Sequence, residues 1–363
     1  MYGWSPLPRN LGAALRDAQS TKARVRLSAV ADLVRWTSGD EREPCIAALV
    51  RLLGSDPDLD VQAAAALGLA DAEAVESLPA LIAAAQTGAP RLCQMSLLAI
   101  GELAAPTHAG ALDVVRTASS SGAPALRFQA LVAAHRLFED AELQPLLGRA
   151  LGDAEAKVRY IACRIVEERY FTDARAAGAG SHAAQPAVST PLPAAGAPLL
   201  LAFAARLSDS DPGVALAAAV ALARAGSEPA RALLVTTLNR APRGTQLEDE
   251  QTAIELCAEL GLTAAQPGLA ARAWGSLWGG TSPLEFQARV ALARLGDTRA
   301  QEQILRALSS FRKTTRSRAA AAAGQARLQA ARPRLLEMSD DERQADPETV
   351  AVALRALEAK SCL

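Results

Sequence analysis

The stretch DPGVALAAAVALARAG, Asp211–Gly226, decides the fold. Its ten residues from Val214 to Ala223 carry no polar side chain. A membrane-spanning helix needs about 20 apolar residues in a row, and this run ends at Arg224. Similar stretches recur along the chain: DPDLDVQAAAALGLAD from Asp56, APRLCQMSLLAIGELA from Ala89, APALRFQALVAAHRLF from Ala123 and SPLEFQARVALARLGD from Ser282. With Val214 as position zero, small or apolar residues return at +4 and +5, apolar ones at +8 and +11, and glycine often at +9 or +12. The zero positions read from the sequence are Val25, Leu59, Leu92, Leu126, Val158, Val214, Asp249, Leu284, Ser317 and Thr349. All but one of the intervals between them are 32–35 residues. A sustained period of this size marks a solenoid of stacked repeats.

Each repeat reads as two helices. At 100° per residue, positions 0, +4, +8 and +11 form one stripe, the buried face of a helix B. Pro57, Pro90, Pro124, Pro212 and Pro347 sit two residues before zero, three of them after an Asp. Asp as N-cap with Pro at the first helical position is an efficient helix start. A second apolar segment, helix A, precedes each B helix, as in CIAALVRLLG from Cys45 or LLLAFAARL from Leu199. Such a hairpin cannot hide both faces alone, so it stacks on its neighbours.

Composition agrees with this. Hydrophobic residues make up 50% of the 363 and aromatics only 4%, a mixture suited to close-packed Ala- and Leu-rich helices. The net charge of −1 gives no global bias toward nucleic acid or membranes. Five cysteines, with no Cys-x-x-Cys pair, indicate neither zinc nor a disulfide framework. The first ten residues, MYGWSPLPRN, lack the pattern of a secretory signal, so the expected location is the cytoplasm.

The D-P-x-[V/L] start and the A-A-x-x-L-G continuation, clearest in Asp56–Gly68 and Asp211–Gly226, resemble the HEAT family, particularly its short bacterial phycobilisome-lyase-like repeats. The resemblance implies an all-α fold, a right-handed α-solenoid of about ten helical hairpins with the B helices lining its concave side. It leaves function open, because such proteins include scaffolds, adaptors, lyase subunits and DNA-repair enzymes.

The exceptional interval, 56 residues between Val158 and Val214, contains the Gly/Ala/Pro-rich FTDARAAGAGSHAAQPAVSTPLPAAGAP. The expected organisation is five repeats in 1–170, an insertion read as a mobile loop in 171–198, and five repeats in 199–363. Glu342, Asp346 and Glu348 give the last repeat a polar cap.

No constellation for catalysis stands out. His108, His135 and His182 have no partner at metal-ligand spacing, and no phosphate loop or nucleophile elbow is present. The expectation is therefore no catalytic residue, no cofactor and no metal. Trp274 and Trp278 read as packing residues, and Cys163, beside Tyr160 and Arg164, reads as core.

Position +10, opposite the buried stripe, is charged in most repeats, and +3 is often polar. Gln129, Arg136, Arg224, Gln287 and Arg294 are the candidates for contact with an extended or helical segment of another protein. Arg306 to Arg334 contains eight basic residues and no acidic one. Within it Arg312, Lys313, Arg316 and Arg318 are candidates for a separate acidic or anionic contact. Glutamates interleaved in the +10 row argue against a nucleic-acid track. The expected function is a non-catalytic protein-binding scaffold or adaptor; the alternatives are a bilin-lyase-like enzyme or chaperone and a DNA-binding HEAT protein.

Overall fold

The computed structural model describes residues 10–39, 41–171, 196–241, 243–274 and 283–358, and these form an all-α solenoid. Two compact units result, Met1–Ile165 and Val166–Leu363. In the first lie α1 (Leu11–Asp17), α2 (Ala23–Arg35), α3 (Arg42–Ser55), α4 (Leu59–Asp71), α5 (Leu78–Thr87), α6 (Pro90–Leu103), α7 (Ala109–Ala118), α8 (Pro124–Leu137) and α9 (Asp140–Ala150). The division falls within α10 (Ala156–Phe171). The second unit continues with α11 (Ala197–Ala204), α12 (Pro212–Arg224), α13 (Glu228–Arg240), α14 (Leu247–Glu259), α15 (Gln266–Trp274), α16 (Pro283–Arg294), α17 (Thr298–Ala307), α18 (Lys313–Gln325), α19 (Arg332–Ser339) and α20 (Pro347–Glu358). Odd-numbered helices are the A helices and even-numbered ones the B helices. Most of the insertion expected at 171–198, including His182, lies outside the described residues.

Even helices pack on even helices: α2 on α4, α4 on α6 and α6 on α8, then α12 on α14 and onward to α20. The opening stretch is α12, in which every residue from Gly213 to Ala221 is buried. Packed against the 205–208 turn, α13 and α14, α12 has little surface left, so it is apolar all round. Burying a side chain such as Leu216 or Val220 contributes about 1.5–3 kcal/mol. Its start follows expectation: Asp211 Oδ1 accepts the backbone N–H groups of Gly213 (2.9 Å) and Val214 (3.0 Å), with Pro212 at the first position.

Two repeats take a different register from the one expected. In α4 the capping residue is Asp58, not Asp56, and the helix begins at Leu59. Zero therefore moves from Leu59, 49% exposed, to Val61, 1% exposed. In α18 the helix begins at Lys313, and zero moves from Ser317 to Thr315. The backbone supports both shifts. Gly226, Gly261 and Gly296, at +12 of their repeats, leave the helix with φ of 90°, 67° and 90°. Counted from Val61 and Thr315, Glu73 and Arg327 occupy the same +12 station, with φ of 50° and 51°. Arg327 is thus a helix-exit residue, not a member of the +10 row.

Glycine at +9 has a different cause. A Cβ on Gly324 would lie 2.7 Å from Ala353 Cα, so only glycine lets α18 and α20 approach this closely.

Candidate functional site

The polar groups that build the stack come first, since they determine which others remain available. At +1, next to the buried stripe, stand Arg26, Gln62, Arg127, Arg159 and Arg316. Each donates to the carbonyl six residues earlier: Ser20 (2.8 Å), Asp56 (2.6 Å), Ser121 (2.9 Å), Asp153 (2.8 Å) and Ser310 (2.7 Å). The turn before each of these B helices is thereby closed. Three arginines also reach the following repeat. Arg26 forks onto Asp56 (2.6 and 2.7 Å), Arg127 onto Asp153 (2.7 Å twice), and Arg316 reaches the carbonyls of Gln344 and Arg343.

Both fork carboxylates are held below the usual range. Burial alone would raise Asp56, but the bonds from Arg26 and from the backbone outweigh it. At Asp153 the bonds from Arg127 are the main cause, opposed by burial. Sequence reading missed this ladder, although its signal was present: a polar residue recurring at +1 of an otherwise apolar stripe, six residues after an Asp at 56 and 153.

The ladder changes the account of the basic turn. Arg316 is consumed as a rung, and Lys313 Nζ donates to the Glu342 carbonyl (2.8 Å). Arg312 lies over the Phe311 ring (5.2 Å) and Arg318 over the Phe286 ring (5.2 Å). These four cations therefore do not converge on one anion site. Two hold the next loop, and Arg318, at +3 in the observed register, faces the even-helix surface.

The five groove candidates separate likewise. Gln129 is only 5% exposed, because +3 of α8 is covered by packing. Arg136 pairs with Glu102, the +10 residue of the preceding repeat, and Arg224 pairs with Glu167 (3.2 Å). Gln287 and Arg294 are brought together, on α16, in a cleft of about 220 Å³ lined also by Glu255, Glu259, Val290 and Gln325. Arg294 is half-buried and makes no hydrogen bond or ion pair among the described residues. Burial pushes its guanidinium below the ordinary value and Arg327 adds repulsion, with Glu259 only partly opposing. In the same cleft Gln287 Oε1 is buried without a hydrogen-bond partner among the described residues.

A second cleft of about 260 Å³ shares Val290 as a wall. Its lining is mostly apolar, with Phe286, Ile304, Ala307, Ala319 and Ala322, and Arg318 stands over it. Arg289 beside it is occupied by Glu285 and by Trp274, whose ring also receives Arg299 (4.0 Å). Trp278 lies outside the described residues. His108 serves as an N-cap, its Nδ1 accepting the Ala111 N–H (3.1 Å). Cys163 is fully buried. Among the described residues no group of three His, Cys, Asp or Glu could hold a metal, and no helix is long and apolar enough to cross a membrane.

No family model matches the chain, and no curated protein matches it in sequence. Solved structures do. Kap121p bound to Pho4p is similar at TM-score 0.51 and 13% identity, over 96% of this chain and 40% of that one. Kap121p bound to Nup53p gives the same values. The fold is that of a HEAT-repeat solenoid. The CpcE–CpcF complex of phycocyanin lyase from Nostoc sp. PCC7120 is also similar, at TM-score 0.38 and 16% identity, over 83% of this chain and 96% of that one. The chain thus spans about 40% of the length of the Kap121p HEAT protein.

Proposed function

We propose that this HEAT-repeat chain is a non-catalytic scaffold or adaptor whose even-helix face receives an extended or helical segment of another protein. The observation that carries the reading is the cleft around Arg294 and Gln287. A half-buried cation and a buried acceptor stand there without a hydrogen bond or ion pair among the described residues, while the equivalent Arg136 is paired to Glu102. Unsatisfied buried polar groups cost free energy unless something completes them. Arginine is also among the residues that most often dominate protein interfaces. The Kap121p structures, each bound to a partner protein, supply a precedent in a chain of similar fold.

Site-specific photocrosslinking of the full chain in lysate of its source cells tests the reading. With benzoylphenylalanine in place of Glu255, on the even-helix face, the expected result is one reproducible protein adduct. The same probe in place of Glu302, an exposed residue of α17, should give none. Adducts only from the Glu302 probe, or from neither, overturn the reading.

A further inference from the structure

The two clefts on either side of Val290 differ in chemistry, and together they specify a ligand. On α16, Gln287 and Arg294 are seven residues apart, about 10 Å along the helix axis. The ligand must bring a hydrogen-bond donor to Gln287 Oε1 and an acceptor to the Arg294 guanidinium. A strand rises about 3.3 Å per residue, so a donor and an acceptor separated by this distance lie about three residues apart on one extended peptide. A carboxylate is the acceptor that best matches a desolvated guanidinium, through two parallel charge-assisted bonds. A backbone N–H is the donor that any peptide carries. Beyond Val290, the cleft floored by Phe286, Ile304, Ala319 and Ala322 suits an apolar side chain, with Arg318 at its rim adding positive charge.

We propose that these clefts form a bipartite site for a short extended peptide, an acidic residue at Arg294 and a neighbouring aliphatic or aromatic side chain in the apolar cleft. Glu255 and Glu259 line the polar cleft as well, so the carboxylate enters on the side of Arg294 and Gln325. Glu259, in the same cleft, opposes the bound carboxylate and so moderates its affinity. The inference rests on the protein-binding reading above and adds to it the chemistry of the segment.

The test is a positional library of N-acetylated, C-amidated hexapeptides probed with the full chain. Peptides with Glu or Asp one to three residues from Leu, Ile or Phe should be retained at least tenfold over their Gln or Asn counterparts. Arg294→Ala should abolish that preference, Gln287→Leu should weaken binding about three- to tenfold, and Arg136→Ala should leave it unchanged. Arg294→Lys, which keeps the charge and loses the fork, should retain part of it. A parallel library with free C-termini separates the two sources of a carboxylate, with stronger retention there assigning the site to a chain end. Equal retention of acid and amide peptides, an unchanged preference in Arg294→Ala, or no retention at all overturns the bipartite site. The protein-binding reading falls separately. If the Glu255 probe captures a partner whose yield is the same in Arg294→Ala, the reading stands and the bipartite site does not.

Discussion

Glu102 and Arg136 in the first unit, and Glu259 and Arg294 in the second, occupy the same station of consecutive repeats. Both pairs are a +10 glutamate followed one repeat later by a +10 arginine. In the first unit the two are bonded. In the second they sense each other's charge without forming an ion pair. The same contrast runs through the ladder. Arg26 and Arg127 fork onto aspartates, whereas Arg316 grips backbone carbonyls. Of the two +10 pairs the first spends its charge on itself, as Arg224 does on Glu167 elsewhere in the second unit, and the other keeps Arg294 available. Residue type at a repeat position thus sets what a repeat can offer, and pairing with the preceding repeat's glutamate decides whether it is offered.

The largest effect should come from Gly324→Val. The added branch meets the backbone of Ala353 rather than the tip of a flexible side chain. Overpacking of this kind costs about 2–3 kcal/mol, or roughly 4–12 °C in Tm at about 2–4 °C per kcal/mol. Hydrogen exchange should localise the loss to the second unit, and equal loss in both units would break the division.

Acid should act the other way round. Asp56 and Asp153 have folded pKa values below their unfolded ones, so their contribution is complete above about pH 4 and is lost as pH falls through the folded values. Amides of α2, α4 and α8 should therefore lose exchange protection between about pH 4 and 2 before those of α18, whose rung ends on carbonyls that do not titrate. In the second unit Asp346 is also depressed, by its bonds to Thr349, but it is exposed and caps only α20. Simultaneous loss of protection in α18 would remove the contrast.

Glu102→Gln tests the comparison directly, since it releases Arg136 while Gln129 stays covered. Binding of an acidic hexapeptide, followed by fluorescence anisotropy, should tighten about threefold in Glu259→Gln at low salt and stay within about twofold in Glu102→Gln, with the gain fading as salt rises. The smallest effect belongs to Arg327→Gly. Placing glycine at a helix exit with φ of 51° should raise stability by up to about 1 kcal/mol in a urea titration.

The fold was legible because its signals are local and repeated. Pro212 behind Asp211, and Gly226, Gly261 and Gly296 at +12, each mark a helix boundary by backbone chemistry that needs no partner. The register failed where such a signal was ambiguous. Asp56-Pro57 imitates a helix start, yet Asp56 is the acceptor of a rung from Arg26 and the cap is Asp58. At α18 neither proline nor a side-chain cap marks the start. The site was far less legible. Arg136 and Arg294 are the same letter at the same station, and only coordinates distinguish a closed pair from an open one. Arg316 reads as surface charge until its carbonyl partners, 27 and 28 residues away, are seen.

The rungs also have a mechanical meaning. Arg26 and Arg127 each tie their helix to the loop before it and to the loop of the next repeat. Tension applied along the first unit would therefore load these fasteners in series, beside the packed helices that share it. Such a unit gives way one link at a time, the weakest first, and recovers by re-engaging one link while the others remain closed.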